Sequence, residues 1–334
     1  MTDRTLKPGA RNLITDVDGI TVGNATDETA QTGVTVLRCA HAYVSAVDIR
    51  GGAPGTRETD VLSPENLVGR ADAIVLTGGS VFGLAAADGA ASALSVAEVG
   101  LRLSAKGPAI PIVPAAVLHD LANDGDKDWG ETPPYRMLGM SAARNAAPDF
   151  ALGSVGAGRG AMAGSTKGGL GSASLTLENG VVVGALVAAN PVGSVFMADG
   201  ETFHAWPYEI GKEFGGAKPP KAREGADPFP DLSRLAARAQ AGANTTIAIV
   251  AVNADLTNVE AKRVAMMAHD GIARAVRPAH TAFDGDIVFA IATAQVELPS
   301  DPLPLRHGHV ARIGAAASDC LTRAIARAVY EASR

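Results

Sequence analysis

One threonine in this sequence stands where its hydroxyl could act as a nucleophile. Thr245 follows Asn244 at the end of a run of small residues, and an apolar, β-branched run, 247–252, comes after it. Because such a run predicts a buried strand, Thr245 would lie where a flexible segment meets a rigid one. Attack on the Asn244 carbonyl would cleave that peptide bond and give Thr245 a free amine beside its own hydroxyl, a nucleophile with its base built in. The alternative is an ordinary strand start, since threonine suits strands.

Two aspartates close together in the sequence could assist this threonine. Asp284 and Asp286 are separated by Gly285, and in an extended backbone residues i and i+2 point to the same side. Both carboxylates could therefore reach one site, orient the threonine and hold its amine in the required protonation state. The strand predicted after them, 287–293, would bring them beside Thr245 if it pairs with the Thr245 strand. The alternative is an Asp-Gly turn that begins a strand.

Three further polar residues are candidates for stabilising a developing negative charge or for shaping a pocket. Lys167 lies in a glycine-dense loop, 153–171, and could stabilise an oxyanion or lower a neighbouring pKa. Asn190 ends a predicted strand and could donate its side-chain amide to the same oxyanion. Tyr135 follows two prolines and could be a pocket wall or a proton donor. Each has a simpler interpretation: a solvated lysine, a turn-forming asparagine and a surface tyrosine.

No motif in the sequence predicts a cofactor or a metal. The loop around Lys167 resembles a phosphate-binding loop only faintly, because a glycine follows the lysine where that pattern requires Ser or Thr. The glycines at 156–160 lack the spacing of a dinucleotide fingerprint. The close pair His307 and His309 has no supporting metal ligands. We therefore expect neither a cofactor nor a metal site.

The elements that would position these residues indicate stacked layers. Short apolar runs bounded by turn residues predict strands at 33–39, 42–49, 71–77, 173–177, 181–188 and 287–293. We expect a tight turn between the first two and a hairpin turn between the fourth and fifth. Helices are predicted after Ser80, after the capping box of Thr257 and Glu260, and over 313–332. Such strand and helix groups, without regular βαβ alternation, favour sheets between helix layers, an α/β sandwich.

Two segments lack a periodic apolar pattern. Residues 118–148 are expected to form a polar excursion on the surface, which would contain Tyr135. Residues 207–243 hold Pro, Gly, Lys and Glu with little apolar period, and we expect a flexible linker there. Thr245 would begin its strand directly after this linker.

Length, composition and charge limit the class of protein. With 334 residues, 47% of them hydrophobic and 19% charged, the chain can form one large layered domain or two smaller ones. It has no apolar run of the roughly 18 residues that span a bilayer, and no apolar signal core at its N-terminus. The net charge is −6 with scattered basic residues, so we expect no nucleic-acid partner. The lack of a bilayer-spanning run predicts no membrane association. Cys39 and Cys320 are far apart and too few for a disulfide framework, which favours a reducing, cytoplasmic setting.

Five short motifs follow one another in the order found in a known family of self-cleaving hydrolases. They are Gly51-Gly52-Ala53, Leu76-Thr77-Gly78-Gly79-Ser80, Asn190-Pro191-Val192-Gly193, Asn244-Thr245-Thr246 and Phe283-Asp284-Gly285-Asp286. On these motifs, and over roughly residues 10–332, the sequence resembles the self-cleaving L-aminopeptidase/D-esterase family. That family includes β-aminopeptidases and the 6-aminohexanoate-oligomer (nylon oligomer) hydrolase. The ordered set is specific, although each motif alone is not.

The resemblance implies a fold, a cleavage site and an assembly. The fold would be a four-layer α-β-β-α sandwich of the N-terminal-nucleophile type, with residues 1–334 as a single catalytic domain. Autocleavage between Asn244 and Thr245 would give a large fragment, 1–244, and a small fragment, 245–334. Thr245 would then be the N-terminal nucleophile. The cleaved heterodimers would assemble into a homo-oligomer.

Within this family, the active-site residues point towards one branch. Threonine with Asp-Gly-Asp at 284–286 is more similar to the nylon oligomer hydrolase than to the aminopeptidase branch, which typically has a serine nucleophile and a Ser-x-Glu pair. Lys167, Asn190 and Tyr135 fall where that hydrolase's site lysine, asparagine and tyrosine would align. The implied function is hydrolysis of amide bonds in short peptides, other small amides or ω-amino acid oligomers. The resemblance does not fix the substrate, which depends on the pocket walls.

Two other functions stay open from the sequence. One is acyl transfer, as in ornithine acetyltransferase, which also self-cleaves before threonine, although this sequence lacks that family's Ala-Thr-Met-Leu context. The other is a non-enzymatic binding protein whose chain stays intact. Observed self-cleavage would support either enzyme, whereas a chain that stays intact would support the binding protein.

Overall fold

The structure, a computed structural model, describes residues 7–219, 230–234 and 244–334. In these residues the chain forms four α-helices: α1 (Ala85–Val96), α2 (Tyr135–Arg144), α3 (Asn258–Ala275) and α4 (Leu303–Ala332). It also forms eleven strands: β1 (Ile20–Asp27), β2 (Thr32–Ile49), β3 (Thr56–Arg57), β4 (Arg70–Thr77), β5 (Ala115–Val117), β6 (Met162–Ala163), β7 (Thr166–Lys167), β8 (Gly169–Thr176), β9 (Val182–Asn190), β10 (Thr245–Ala254) and β11 (Ile287–Val296). No helix within the described ranges is long and apolar enough to cross a membrane.

Nine of the strands form one hydrogen-bonded sheet in the order β3-β5-β4-β2-β11-β10-β9-β8, with β1 paired to β2 outside this path. The first part of β2 pairs with β1 and β4, and its last part pairs with β11. β10 and β11 are parallel and are connected through α3, so the β-α-β pairing predicted for the Thr245 strand is confirmed. β9 lies antiparallel on the other side of β10.

The two halves of this sheet lie face to face between two helix layers. The core between the halves contains apolar side chains such as Leu37 and Ile74 from one half and Ile247 and Phe289 from the other. A second core lies between β8–β11 and helices α3 and α4, and a third lies between β1, β2 and β4 and helices α1 and α2. The predicted four-layer α-β-β-α sandwich is confirmed, with the addition that β2 joins both sheets into one.

The apolar run of β10 follows from its place between two cores. Ile247 and Ile249 face the core between the sheet halves, while Ala248 and Val250 face α3 and α4. Successive side chains of a strand point to opposite faces, and both faces of β10 are covered, so both must be apolar. The side chains in this run are at most 2% exposed. β10 therefore holds its first residue, Thr245, on a rigid support.

Two local expectations from the sequence are confirmed. β8 and β9 form the predicted antiparallel hairpin. The capping box of α3 is present, because the Glu260 N–H donates to the Thr257 hydroxyl over 3.3 Å and the Thr257 N–H donates to the Glu260 carboxylate over 2.9 Å. These reciprocal bonds satisfy backbone donors that the first turn of a helix leaves unpaired.

Three other local expectations are wrong. Residues 33–49 form one strand, β2, without a tight turn. Its pairing with β4 changes register between Arg38 and Tyr43, but the strand continues through this point because the part on each side is paired with a neighbouring strand. Residues 118–148 are more than a surface excursion, because they contain α2, which buries Tyr135 in the core against α1. The last helix begins at Leu303, earlier than predicted.

A buried ion pair holds part of the predicted linker, 207–219, against the domain. Glu213 in this segment accepts hydrogen bonds from Arg323 of α4 over 2.6 and 2.9 Å, and from the Asn12 side chain over 2.6 Å. The Arg323 side chain is only 1% exposed and also donates to the Ser174 carbonyl of β8. The cluster therefore ties a segment that precedes the 244–245 bond to a helix that follows it.

Glu213→Gln should lower the stability of the protein strongly. The substitution keeps the shape of the side chain but leaves the Arg323 guanidinium buried without its counter-charge, which costs about 3–5 kcal/mol. Urea unfolding should show this loss as a lower midpoint with an unchanged slope. The same substitution at the exposed Glu201 is the matched control and should change stability by no more than about 0.5 kcal/mol. Equal urea midpoints for the two variants would contradict a stabilising role of the Glu213–Arg323 ion pair.

Candidate active site

Thr245 and Asn244 are both buried where β10 begins. Thr245 is 3% exposed and Asn244 is 1% exposed. The Thr245 hydroxyl donates a hydrogen bond to the Asn244 carbonyl oxygen over 2.5 Å. The hydroxyl predicted to be the nucleophile therefore lies against the peptide bond that it would attack.

The backbone N–H of Gly285 donates to the same Asn244 carbonyl oxygen over 2.9 Å. The two segments run side by side because Asn244 forms a parallel β-bridge with Asp284. A donor at this position would stabilise negative charge on the oxygen, which is the task of an oxyanion hole. Only glycine fits here, because a Cβ on Gly285 would lie 2.8 Å from the Thr245 hydroxyl oxygen and 2.7 Å from the Ala53 carbonyl oxygen. Sequence reasoning missed this donor, since it considered Gly285 only as the spacer between two aspartates.

Asn190, the last residue of β9, lies directly opposite Thr245 in the antiparallel ladder. Its Oδ1 accepts the Met162 N–H over 2.8 Å, and its Nδ2 donates to the His119 carbonyl over 3.2 Å. These bonds fix the amide and connect β9 with β6 and with the loop after β5. The structure thus brings Asn190 to Thr245 through strand register.

Asp286 holds the backbone directly after the candidate nucleophile. One carboxylate oxygen accepts the Thr246 N–H over 2.8 Å. The other accepts the His280 N–H over 3.1 Å and lies 2.8 Å from His280 Nδ1. Because Asp286 is 1% exposed, its carboxylate depends on these protein donors in place of water.

Asp284 is equally buried but has different partners. Its Oδ1 accepts the Val192 N–H over 3.1 Å, and its Oδ2 accepts the Thr281 N–H and hydroxyl over 2.9 and 2.7 Å. Burial and, next, the charge of Asp286 raise the pKa of Asp284, and these hydrogen bonds offset part of the rise. A carboxyl group whose pKa is raised towards neutrality suits proton transfer. Both predicted aspartates therefore belong to one cluster at the start of β10 and β11.

Lys167 lies near this cluster through its backbone but not through its side chain. β7, which contains Lys167, pairs with β6 so that Lys167 faces Met162, the residue whose N–H binds the Asn190 side chain. The Lys167 residue is exposed. The structure therefore places the lysine, as an exposed residue, on the hairpin beside Asn190.

Tyr135 lies in the core and not in the space in front of Thr245. It is fully buried, its ring packs edge-on against Trp129, and its hydroxyl donates to the Thr32 hydroxyl over 3.3 Å. Thr32 in turn donates to Asp120 over 2.6 Å, and the other oxygen of Asp120 accepts the Gly79 N–H over 2.7 Å. Burial, followed by the charge of Asp120, raises the pKa of Tyr135. Tyr135 thus packs against Gly79 in the turn that follows β4.

A cavity of about 420 Å³ opens in front of Thr245. Its walls come from the loop before β3, the turn after β4 and the end of β5, and its lining residues are Ala53, Pro54, Gly55, Thr56, Ser80, Val81, Leu84, Val117, Leu118, His119 and Thr245. The size is within the range of small-molecule sites. His119 was not singled out from the sequence, because one histidine carries no motif. A larger cavity, about 660 Å³, lies between the β8–β9 turn and α4 and does not include Thr245.

Arg234 was also missed by sequence reasoning. It lies in 230–234, the remaining described part of the predicted linker, since 220–229 and 235–243 fall outside the described residues. Its guanidinium donates to the carbonyls of Met162, Asn190 and Pro191 over 3.0, 3.0 and 2.8 Å. Arg234 therefore anchors the segment upstream of Asn244 on the end of β9. The described residues contain no group of three His, Cys, Asp or Glu side chains that could hold a metal ion.

Known proteins resemble this chain over nearly its whole length. The model of peptidase family S58 matches residues 12–334. The chain belongs to this family. It is 44% identical over 339 residues to an uncharacterized aminopeptidase of Mycobacterium leprae, covering 96% of this chain and 91% of that protein. It is 30% identical over 336 residues to a 6-aminohexanoate-oligomer endohydrolase of Kocuria sp., covering 96% of this chain and 86% of that protein.

A solved structure agrees with this chain in fold. The L-aminopeptidase D-Ala-esterase/amidase from Ochrobactrum anthropi aligns with a TM-score of 0.67 at 22% identity, over 97% of this chain and 87% of that chain. Its structure is described as a new variant among the Ntn hydrolase fold, so the four-layer sandwich is of N-terminal-nucleophile type. The family resemblance seen in the five motifs is confirmed. As a member of a peptidase family, the protein is a hydrolase that acts on amide bonds.

Proposed function

We propose that this S58 protein is a self-processing amide hydrolase whose nucleophile, Thr245, is released by cleavage of the Asn244–Thr245 bond. One observation carries the proposal. The Asn244 carbonyl oxygen accepts hydrogen bonds from the Thr245 hydroxyl and from the Gly285 N–H, so the nucleophile and an oxyanion donor meet at one peptide bond.

Self-processing would proceed as an intramolecular acyl transfer. The Thr245 Oγ attacks the Asn244 carbonyl carbon as its proton passes to the Asp284 carboxylate, and the Gly285 N–H stabilises the oxyanion. The C–N bond then breaks as that proton passes to the departing nitrogen. The resulting ester between Asn244 and the Thr245 hydroxyl is hydrolysed by water. The products are residues 1–244 and residues 245–334, the second of which begins with a free threonine amine.

In the mature enzyme the same hydroxyl would attack a substrate amide. Departure of Asn244 leaves the Gly285 N–H available to the substrate carbonyl, while the free amine of Thr245 serves as base with Asp284 and Asp286. We assign Asn190 and Lys167 to the oxyanion, the latter after its exposed side chain turns towards the substrate. Tyr135 enters the proposal as the support of the Gly79 turn and not as a proton donor.

The substrates we propose are short peptides and ω-amino acid oligomers. The 6-aminohexanoate-oligomer endohydrolase of Kocuria sp. is 30% identical to this chain. Thr245 together with Asp-Gly-Asp at 284–286 is the pattern that resembles the nylon oligomer hydrolase. The cavity of about 420 Å³ in front of Thr245 has the size of a small-molecule site, and Val81, Leu84 and Val117 form part of its walls.

Hydrolysis of a linear 6-aminohexanoate oligomer tests this assignment. We expect the purified, cleaved protein to release shorter oligomers, which liquid chromatography with mass detection would quantify. A β-alanyl dipeptide and an L-alanyl amide in parallel assays would rank the substrate classes. A Thr245→Ala protein treated identically should release nothing. Absence of hydrolysis of all three by a fully cleaved protein would contradict the proposal.

We further propose a cytoplasmic protein that forms a homo-oligomer of cleaved heterodimers. Both cysteines, Cys39 and Cys320, are buried and unpaired, which suits a reducing compartment. The oligomer rests on the family resemblance, and sedimentation of the cleaved protein would measure it.

A further inference from the structure

His280 lies between the aspartate pair, Asp284 and Asp286, and His269 of α3. Its Nδ1 lies 2.8 Å from one carboxylate oxygen of Asp286, and its backbone N–H donates to the same oxygen over 3.1 Å. The His280 side chain is 22% exposed, whereas the Asp286 side chain is 1% exposed. The contact is therefore a largely buried pair between an imidazole and a carboxylate.

The surroundings of His280 favour its protonated form. The Asp286 carboxylate and, less strongly, the backbone of His269 favour the protonated form of the ring. With its Nδ1 at 2.8 Å from an Asp286 carboxylate oxygen, a protonated His280 forms an ion pair with Asp286, whereas a neutral one has only a hydrogen bond. Burial and the charge of Arg50 lower the pKa of His280, but Asp286 and the His269 backbone outweigh them, so the pKa is raised.

The neighbouring histidine shows the opposite behaviour. His269 packs edge-on against His280 with ring centres 5.0 Å apart, and its Nε2 lies 3.0 Å from the Asp48 carbonyl oxygen. Burial lowers the pKa of His269 to about 4, although Asp48 opposes the shift. The charged and titratable neighbours of His280 are Arg50 and Asp48 on the β2 side, His269 on α3 and Asp286 before β11. Together they favour a state in which the two histidines carry one extra proton, located on His280.

We propose that His280 is a positioning residue: as an imidazolium it holds Asp286 in the ionised form, and it thereby leaves Asp284 as the carboxyl group of the pair that takes up a proton during the reaction. Two carboxyl groups in one buried site cannot both ionise freely, and an environment that separates their protonation assigns their roles. Asp286 has the imidazolium in direct contact, whereas the hydrogen bonds to the Asp284 carboxylate come from neutral groups of Thr281 and Val192, and the charge of Arg234 acts on Asp284 without a direct ion pair. The role of Asp284 in this inference rests on the proposed function, whereas the state of His280 does not.

A proton titration of His280 tests the ion pair directly. NMR of the imidazole ¹³Cε1–¹Hε1 resonance in the intact wild-type protein should give a His280 pKa above the ordinary value of about 6.5. Asp286→Asn should lower that pKa by about one unit or more, because the counter-charge is removed. A His280 pKa at or below the ordinary value, unchanged by Asp286→Asn, would overturn the inference. This measurement does not require the chain to cleave or to hydrolyse anything, so its failure is distinguishable from failure of the proposed function.

The pH dependence of self-cleavage tests the consequence for Asp284. His280→Asn removes the positive charge beside the aspartate pair, so the pair takes up a proton at a higher pH, and the acidic limb of the rate profile should move up by about one pH unit. Above that limb the rate should approach the wild-type rate, which a general loss of structure would not allow. His307→Asn, the same substitution at an exposed position of α4, should leave the profile unchanged. An acidic limb at the wild-type position in His280→Asn would overturn the inference.

Discussion

Thr245→Ala should leave a single full-length chain that does not hydrolyse amides. The methyl group cannot attack the Asn244 carbonyl, so the precursor keeps its peptide bond and Thr245's amine is never released. Removal of the nucleophilic serine of a serine protease costs about 10⁶ in turnover, and here the loss of processing adds to the effect. Denaturing gel electrophoresis and an amide hydrolysis assay would measure both losses.

The matched variant for this experiment is Thr245→Ser. It keeps the hydroxyl at the start of β10 and removes one methyl group from a site that is 3% exposed. We expect Thr245→Ser to cleave itself and to retain hydrolysis, because serine presents the same nucleophile. Two fragments from the alanine variant would show that another group performs the cleavage.

Gly285→Ala should slow self-cleavage by about 10²–10³, the cost of losing one oxyanion-hole donor. The added Cβ would lie 2.8 Å from the Thr245 hydroxyl oxygen and 2.7 Å from the Ala53 carbonyl oxygen, both far closer than real Cβ contacts. Either the hydroxyl or the Gly285 backbone must move, and each movement separates a group from the Asn244 carbonyl. The rate of fragment appearance after rapid purification would measure the effect.

The control for this substitution is Gly308→Ala in the first turns of α4, where an added Cβ meets no atom within 4 Å. It should cleave at the wild-type rate, and thermal unfolding would confirm that both variants are folded. Wild-type cleavage by Gly285→Ala would contradict the oxyanion role of the Gly285 N–H.

The chain segments that surround the candidate nucleophile could be predicted because their signals are local. The apolar run after Thr245 predicts β10, and the strand after Asp286 predicts β11, which is its parallel neighbour. The position of Asn190 at the end of a hairpin strand also follows from the sequence, although only the register shows that it lies opposite Thr245.

The partners of the polar side chains could not be predicted, because they come from distant segments. Asp284 and Asp286 are two residues apart, yet they have separate donors: Val192 and Thr281 for the first, and Thr246 and His280 for the second. Backbone alternation fixes which side a residue points to, but it does not fix what lies there.

Tyr135 shows how tertiary packing overrides a local pattern. Two prolines followed by tyrosine predicted a loop, but Pro134 precedes the first turn of α2, and the ring fills the space behind Gly79. A Cβ on Gly79 would lie 2.1 Å from the tyrosine ring. The glycine and the tyrosine are far apart in sequence, so neither alone indicates the contact.

The intact mass of the purified protein under denaturing conditions tests the central claim most directly. Cleavage before Thr245 predicts two masses, those of residues 1–244 and 245–334, and no other fragment pair. A single mass corresponding to the whole chain of 33.8 kDa after prolonged incubation, or a cut at any other bond, would contradict the assignment of Thr245 as an N-terminal nucleophile.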